Sequence, residues 1–362
     1  MTAGIILGVA GFRSRVELTP ELIFTVFLPP LLFEAAIHLK WTQFRREAPL
    51  VLGLAFVGTL LSAAVVAAGM RWLIGWSWQA ALLFGSLIAA TDPVSVIAMM
   101  KEQRAEQRLR FVMEAESLVN DGVAAVLFST CVLAIGGASV TSAGVGLSLI
   151  VTVGGGVLCG IVVAAAVLLL AWRAEDHLVE LTLSMLAAYG SFALAEELGV
   201  SAVLATLSAG IVVGNLGPGR SLTERGGEAM IRFWDFAAFL ANSVIFLLIG
   251  TREAAQPFTA YLYAAAIGTM FALAGRAMAI YPLSTLYARS ELAITGMTRH
   301  ILFWGGLRGA LALALALAVP ATLPERDAII GVAFAVVAFS IFVQGMTVPV
   351  LLRRSGLLAD DS

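Results

Sequence analysis

The residues best equipped for chemistry are Glu116-Ser117-Leu118-Val119-Asn120-Asp121 and, about a helix-length upstream, Thr91-Asp92-Pro93. Both stretches lie in apolar runs long enough to span a bilayer, where a carboxylate costs roughly 2.5–3.5 kcal/mol on insertion scales. Asp121 is ten residues into its run, roughly 15 Å along a helix and so near the middle of a membrane. On a helix it shares a face with Ser117 at i−4 and Glu114 at i−7, while Asn120 and Glu116 form an adjoining polar stripe. A buried carboxylate hydrogen-bonded for helix association would explain Asp121 alone. Asp92 supplies a second carboxylate at comparable depth, and hard cations take oxygen ligands from carboxylates, hydroxyls, carbonyls and water. Asp121, Asp92 and Ser117 therefore suit a dehydrated Na+.

Two arginines also lie inside apolar runs. Arg276 and Arg308 each need a carboxylate or carbonyl partner, because a lone guanidinium in hydrocarbon is costly. Glu116 is the expected partner of Arg276, in a structural ion pair that holds the helix in register. Glu34, which follows Phe27-Leu28-Pro29-Pro30-Leu31-Leu32-Phe33, either lines an entrance to a cavity or snorkels to the interface beside His38 and Lys40. His177 and His300 fall near helix ends. Trp72, Trp76 and Trp78 read as an interfacial belt. Asp235 reads as a helix cap, with Asn242 as added polar lining. Cys131 and Cys159 lack the paired spacing of a metal or redox site and read as small packing residues.

The elements that carry these residues are membrane helices. Of 362 residues, 60% are hydrophobic and 13% charged, and the mean hydropathy is +0.95, whereas soluble domains carry about 25% charged residues. The net charge of −2 gives no basic surface for nucleic acid. Apolar segments fall near 21–39, 48–70, 76–99, 111–136, 145–171, 178–196, 200–216, 231–251, 258–287, 300–319 and 328–352. These eleven spans, preceded by an apolar 1–12 too short to cross, are expected to form one membrane domain over 1–352 with a short tail at 353–362. Residues 1–12 lack a basic n-region and read as part of a helix whose first half is missing. Glu196-Glu197-Leu198-Gly199 must then serve as a very short turn. Alternate connections collect fourteen Lys and Arg on one side and five on the other, which places the C-terminus in the cytoplasm by the positive-inside rule. Two spans are interrupted, at Thr91-Asp92-Pro93 and at Trp304-Gly305-Gly306-Leu307-Arg308-Gly309. Pro removes a backbone donor and Gly eases unwinding, and paired interruptions in two halves of a transporter point to a midplane binding site.

Four stretches in order, Phe27 to Glu34, Ala90-Thr91-Asp92-Pro93-Val94, Glu116 to Asp121 and Gly305-Gly306-Leu307-Arg308-Gly309-Ala310, resemble the signatures of NhaP/NHE-type sodium/proton antiporters. The resemblance implies an all-α polytopic, inverted-repeat fold with two crossed, partly unwound helices, a core domain and a dimerisation domain. It implies that Asp121 binds the cation and the proton, with Asp92, Ser117 and Thr91 completing the site. Asn120 marks the electroneutral type, Glu34 lines the cytoplasmic side, Glu116 pairs with Arg276, and Arg308 carries the charge of the crossed helices. It further implies that the first helix and half of the second are absent, a homodimer in the plasma (inner) membrane, and no cofactor apart from the transported Na+, Li+ or K+ and H+.

The expected function is exchange of one cation for one proton by competition at Asp121. The alternatives are a truncated, non-transporting remnant and an intramembrane aspartyl protease. The latter uses two membrane aspartates as an acid/base pair, but the Tyr-Asp and Gly-x-Gly-Asp contexts it needs are missing around Asp92 and Asp121.

Overall fold

The structure is a computed structural model that describes residues 19–136, 142–174, 176–253 and 258–354. The partial helix expected at 1–12 and the chain beyond 354 lie outside the described residues. Among those residues every extended element is a helix and there is no β-strand. Eight helices are long and apolar enough to cross a membrane, and the shorter Ile23–His38 and Ala202–Leu216 are apolar too.

In chain order the helices are α1 (20–38), α2 (Trp41–Ile74), α3 (Trp78–Ala89), α4 (Val94–Glu102), α5 (Gln107–Ile135), α6 (Ser142–Ala171) and α7 (His177–Glu197). They are followed by α8 (Ala202–Leu216), α9 (Glu224–Glu253), α10 (Phe258–Leu286), α11 (Gly296–Trp304), α12 (Ala310–Leu317) and α13 (Arg326–Arg354). The chain divides into two compact units, one of residues 1–45 and 139–256, the other of 46–138 and 257–362.

In the first unit, α8 packs on α1, α6 and α7, and α9 packs on α1 and α7. Without a hydrophobic drive between helices in lipid, close backbone approach through small residues supplies the contact. At Gly160 of α6 a Cβ would collide with the Ala205 carbonyl and the Ser208 hydroxyl of α8. The α7–α8 link is as short as the sequence requires. Gly199 takes a left-handed φ of +67°, the Val200 N–H returns to the Ala195 carbonyl at 2.9 Å, and Ser201 caps α8 by accepting from Leu204 N–H. Trp234 of α9 is fully buried, packs with its ring tilted at 51° and 4.8 Å from that of Phe33 of α1, and donates its indole N–H to Ser184 of α7 at 3.0 Å. Cys159 is buried beside Ala195 and Ala205, and Cys131 is partly buried.

The helix start expected at 231 lies earlier. The polar stretch from Glu224 to Met230 is already helical, so Asp235 is interior to α9 and caps nothing. Its carboxylate instead accepts from His38 Nε2 of α1 at 2.9 Å. The Asn242 Oδ1 is buried without a hydrogen-bond partner.

In the second unit, α3 packs on α2 and α5, α10 on α2 and α13, and α12 on α13. Ser77 begins α3 by accepting from Ala80 N–H at 3.2 Å. Trp72 and Trp78 are exposed, edge to face at 6.2 Å, as an interfacial belt requires. Trp76 is not part of that belt: it is 7% exposed and its ring meets Phe84 at 5.4 Å, because the loop leading into α3 turns it onto the helix. His300 lies within α11, hydrogen-bonded to the Tyr281 hydroxyl at 2.6 Å.

Candidate functional site

Both interrupted spans break where the sequence places Pro and Gly. The first stops at Ala89, runs unwound through Ala90-Thr91-Asp92 and resumes at Val94. The second stops at Trp304 and resumes at Ala310. The breaks touch, since the Asp92 N–H donates to the Leu307 carbonyl at 2.7 Å. The helices thus cross at their unwound segments, and four half-helix ends meet there.

Each end faces a residue of the sign its dipole calls for. The Asp92 carboxylate accepts from Val94 N–H at 3.1 Å, at the N-terminus of α4, and from Ala310 N–H at the N-terminus of α12. At the C-terminus of α3, Arg308 donates to the Ala89 and Ala90 carbonyls, both at 3.2 Å. It also reaches the Ala272 carbonyl at 3.4 Å, while its own N–H donates to Ser340 at 2.8 Å. At the C-terminus of α11, Arg276 reaches the Leu302 carbonyl at 3.2 Å and Gln344 the Trp304 carbonyl at 3.1 Å. Arg308 therefore has carbonyl partners rather than a carboxylate.

Helix α5 closes the arrangement. Arg276 and Glu116 form a two-pronged ion pair, Nη1 to Oε1 at 2.7 Å and Nη2 to Oε2 at 2.9 Å. Both are nearly fully buried, at 5% and 1% exposed. Asn120 links this pair to the break: its amide nitrogen donates to Glu116 at 2.9 Å and to the Thr91 hydroxyl at 2.6 Å. Its oxygen accepts from Thr91 N–H at 3.1 Å. The Thr91 and Ser117 hydroxyls are 3.0 Å apart. Thr91, Ser117, Asn120 and Glu116 are buried, whereas Asp92 and Asp121 remain partly exposed. The Asp121 carboxylate is within electrostatic reach of Asp92 and Glu116 as like charges and of Arg308 as an opposite one.

Asp92, Thr91, Ser117, Asn120, Asp121, Glu116, Arg276 and Arg308 thus come together in one unit. Glu34 does not join them there. It belongs to the first unit, at 3.6 Å from His38 one turn along α1. Sequence reading missed Ser340 and Gln344. A hydroxyl and an amide in an apolar span signal burial, but nothing local says that they cap a break in another helix.

In the second break a Cβ at Gly309 would overlap the Asp92 side chain. Gly309→Ala is expected to displace Asp92 and destabilise the crossing by about 1–3 kcal/mol, as overpacking does, while leaving the Glu116–Arg276 pair intact. Thermal unfolding in detergent measures the effect.

Two discontinuous membrane helices that cross, with charged residues at their half-helix ends, are the architecture of a secondary transporter. The comparisons with known proteins narrow the class. The family described as sodium/hydrogen exchanger, transmembrane, matches residues 1–354, and the chain belongs to that family. It is 37% identical over 357 residues to the Na+/H+ antiporter ApNhaP of Aphanothece halophytica, covering 98% of this chain and 68% of that protein. It is 38% identical over 352 residues to the low-affinity Na+/H+ antiporter NhaS1 of Synechocystis, covering 96% and 67%. Among solved structures, the sodium proton antiporter MjNhaP1 of Methanocaldococcus jannaschii at pH 8 superposes with a TM-score of 0.77 at 18% identity, over 99% of this chain and 91% of that one. That likeness shows the shared fold.

Proposed function

We propose that the chain exchanges Na+ for H+ across a membrane by competition of the two for Asp121. The observation that carries this reading is the pair of partly exposed carboxylates, Asp92 and Asp121, beside buried Thr91 and Ser117 at the crossed breaks. The family and the names of the relatives support it. Na+ is the substrate, held by Asp121, Asp92, the Ser117 hydroxyl and the unwound backbone at Thr91, a set of hard oxygen donors.

The two aspartates differ in what they can exchange. Asp92 receives backbone N–H groups from two helix N-termini, which fix its charge in place. Asp121 receives one such bond, from Thr91, away from any helix N-terminus, and has Asn120, a neutral amide, as its chain neighbour. Asp121 is therefore the exchangeable charge: ionised it binds Na+, protonated it releases it, and only the neutralised group crosses the membrane cheaply. One exchangeable charge means one proton per cation. Li+ and K+ compete for the same oxygens, and Glu34 guides cations from the cytoplasmic side. The functional particle is a homodimer in the plasma membrane with its C-terminus in the cytoplasm, and residues 1–352 act as one transporter domain.

Purified protein in proteoliposomes with an outward Na+ gradient tests the reading. The expected result is Na+-driven proton movement that is unchanged when a permeant anion, thiocyanate, clamps the voltage near zero without adding a competing cation. On the acid side the half-saturating Na+ concentration should rise about tenfold per pH unit, as competition by mass action requires. No proton movement, or movement that changes under the clamp, rules out electroneutral exchange. Peptide cleavage by the purified protein would favour the protease alternative instead.

A further inference from the structure

We propose that Glu34, His38 and Asp235 form a binding site for one divalent transition-metal ion of the zinc class, bridging α1 and α9 in the first unit. The site is separate from Asp92 and Asp121, the carboxylates that hold Na+. Its three donors lie together already: His38 Nε2 is 2.9 Å from Asp235 Oδ1 and 3.6 Å from Glu34 Oε1, and the three ligand atoms all fall within 4.8 Å of one another.

The two spacings from the imidazole bracket what a small divalent ion needs. Ligands bound at about 2.0–2.1 Å around a tetrahedral zinc stand about 3.3–3.4 Å apart, between the two distances measured from the imidazole. One imidazole with two carboxylates is a borderline donor set that suits zinc, and the open positions would be taken by water. A hard alkali cation has no use for the imidazole nitrogen.

The donors also sit on a rigid frame. Glu34 and His38 are i and i+4 on one face of α1, one turn from Phe33, whose ring packs at 4.8 Å on Trp234, the residue before Asp235. Phe33 and Trp234 are both fully buried, so the register of α1 against α9 is set beneath the donors. Asp235 is interior to α9 and caps no helix. The cation one turn before it, Arg232, is engaged with Glu228 at 3.3 Å. His38 and Asp235 side chains are 39% and 51% exposed, and His38 is the last residue of α1, just before the Leu39-Lys40 connection, so an ion from water reaches them. The other two histidines are placed differently: His177 lies 3.5 Å from one carboxylate, that of Asp176, and His300 holds a tyrosine hydroxyl.

A plain hydrogen bond between α1 and α9 would account for the His38–Asp235 distance but not for metal binding, which decides the matter. Full-length protein in detergent or nanodiscs is titrated with Zn2+ against a chromophoric chelator, with Co2+ absorption as a second probe. The expected result is one Zn2+ per chain and a melting temperature that rises with Zn2+. His38→Ala and Asp235→Asn should each weaken Zn2+ binding at least tenfold and abolish the Zn2+-dependent rise. Asp235→His breaks the carboxylate–imidazole bond yet keeps a donor, and should bind within tenfold of the parent. Absence of stoichiometric Zn2+ in the parent, equal binding by His38→Ala, or equal loss in Asp235→His and Asp235→Asn each overturns the proposal. The readout is binding rather than exchange, so its failure leaves the proposed exchange function untouched.

Discussion

Asp121→Asn is expected to reduce Na+/H+ exchange in proteoliposomes by at least about 100-fold, to the level of empty vesicles, with expression and melting temperature close to the parent. Removing the partner of a buried charge costs about 3–5 kcal/mol, and each 1.4 kcal/mol is roughly tenfold in affinity, so Na+ bound without the Asp121 charge is lost at any practical concentration. The amide also has no proton to trade, which removes the other half of the cycle. The fold should survive, because Ser117 and Asn120 still tie α5 to the first break, and the oxygen of an amide can still accept the Thr91 N–H that Asp121 receives. Asp121→Glu supplies the control. It keeps a titratable carboxylate one methylene longer and should retain measurable exchange with a raised half-saturating Na+ concentration. Parent-like exchange by Asp121→Asn would remove Asp121 from the mechanism.

The features that could be read from sequence are those whose cause is local. Pro93 and the glycines at 305, 306 and 309 act on their own backbone, so both breaks were visible. The charges in apolar runs were equally conspicuous, because no local compensation explains a carboxylate or guanidinium at that depth. What lay hidden depends on packing between distant segments. That Arg308 would find the carbonyls of Ala89 and Ala90 rather than a carboxylate follows from the crossing, and Trp76 turns inward because Phe84 is there to receive it. Asp235 was misplaced for a different reason. The entry to α9, Glu224 to Met230, is polar enough to resemble a loop, so the apolar run gave a late start and made an interior residue look like a cap. Its partner His38 is 197 positions away, beyond any spacing rule.

Glu116 and Arg276 give the second large effect, on stability rather than on ion affinity. Glu116→Gln leaves the guanidinium, 5% exposed, with the Leu302 carbonyl as its remaining strong partner, and should destabilise the protein by about 3–5 kcal/mol. Arg276→Gln strands the Glu116 carboxylate and should cost a similar amount. The Glu116→Gln/Arg276→Gln double variant removes both charges, and two amides can still hydrogen-bond across the gap, so it should be more stable than either single variant. Thermal unfolding in detergent, scored as a double-mutant cycle, reads this directly. The pair also reaches the ion site, because Asn120 takes the Glu116 oxygen with the same amide nitrogen that holds Thr91. Weakening that acceptor from a carboxylate to an amide oxygen should loosen the first break and lower the turnover rate. The half-saturating Na+ concentration should stay within a few-fold of the parent in the double variant, since neither residue holds the ion. Single variants that melt like the parent but bind Na+ far more weakly would instead make Glu116 part of the cation site and leave Arg276 as the charge that tunes it.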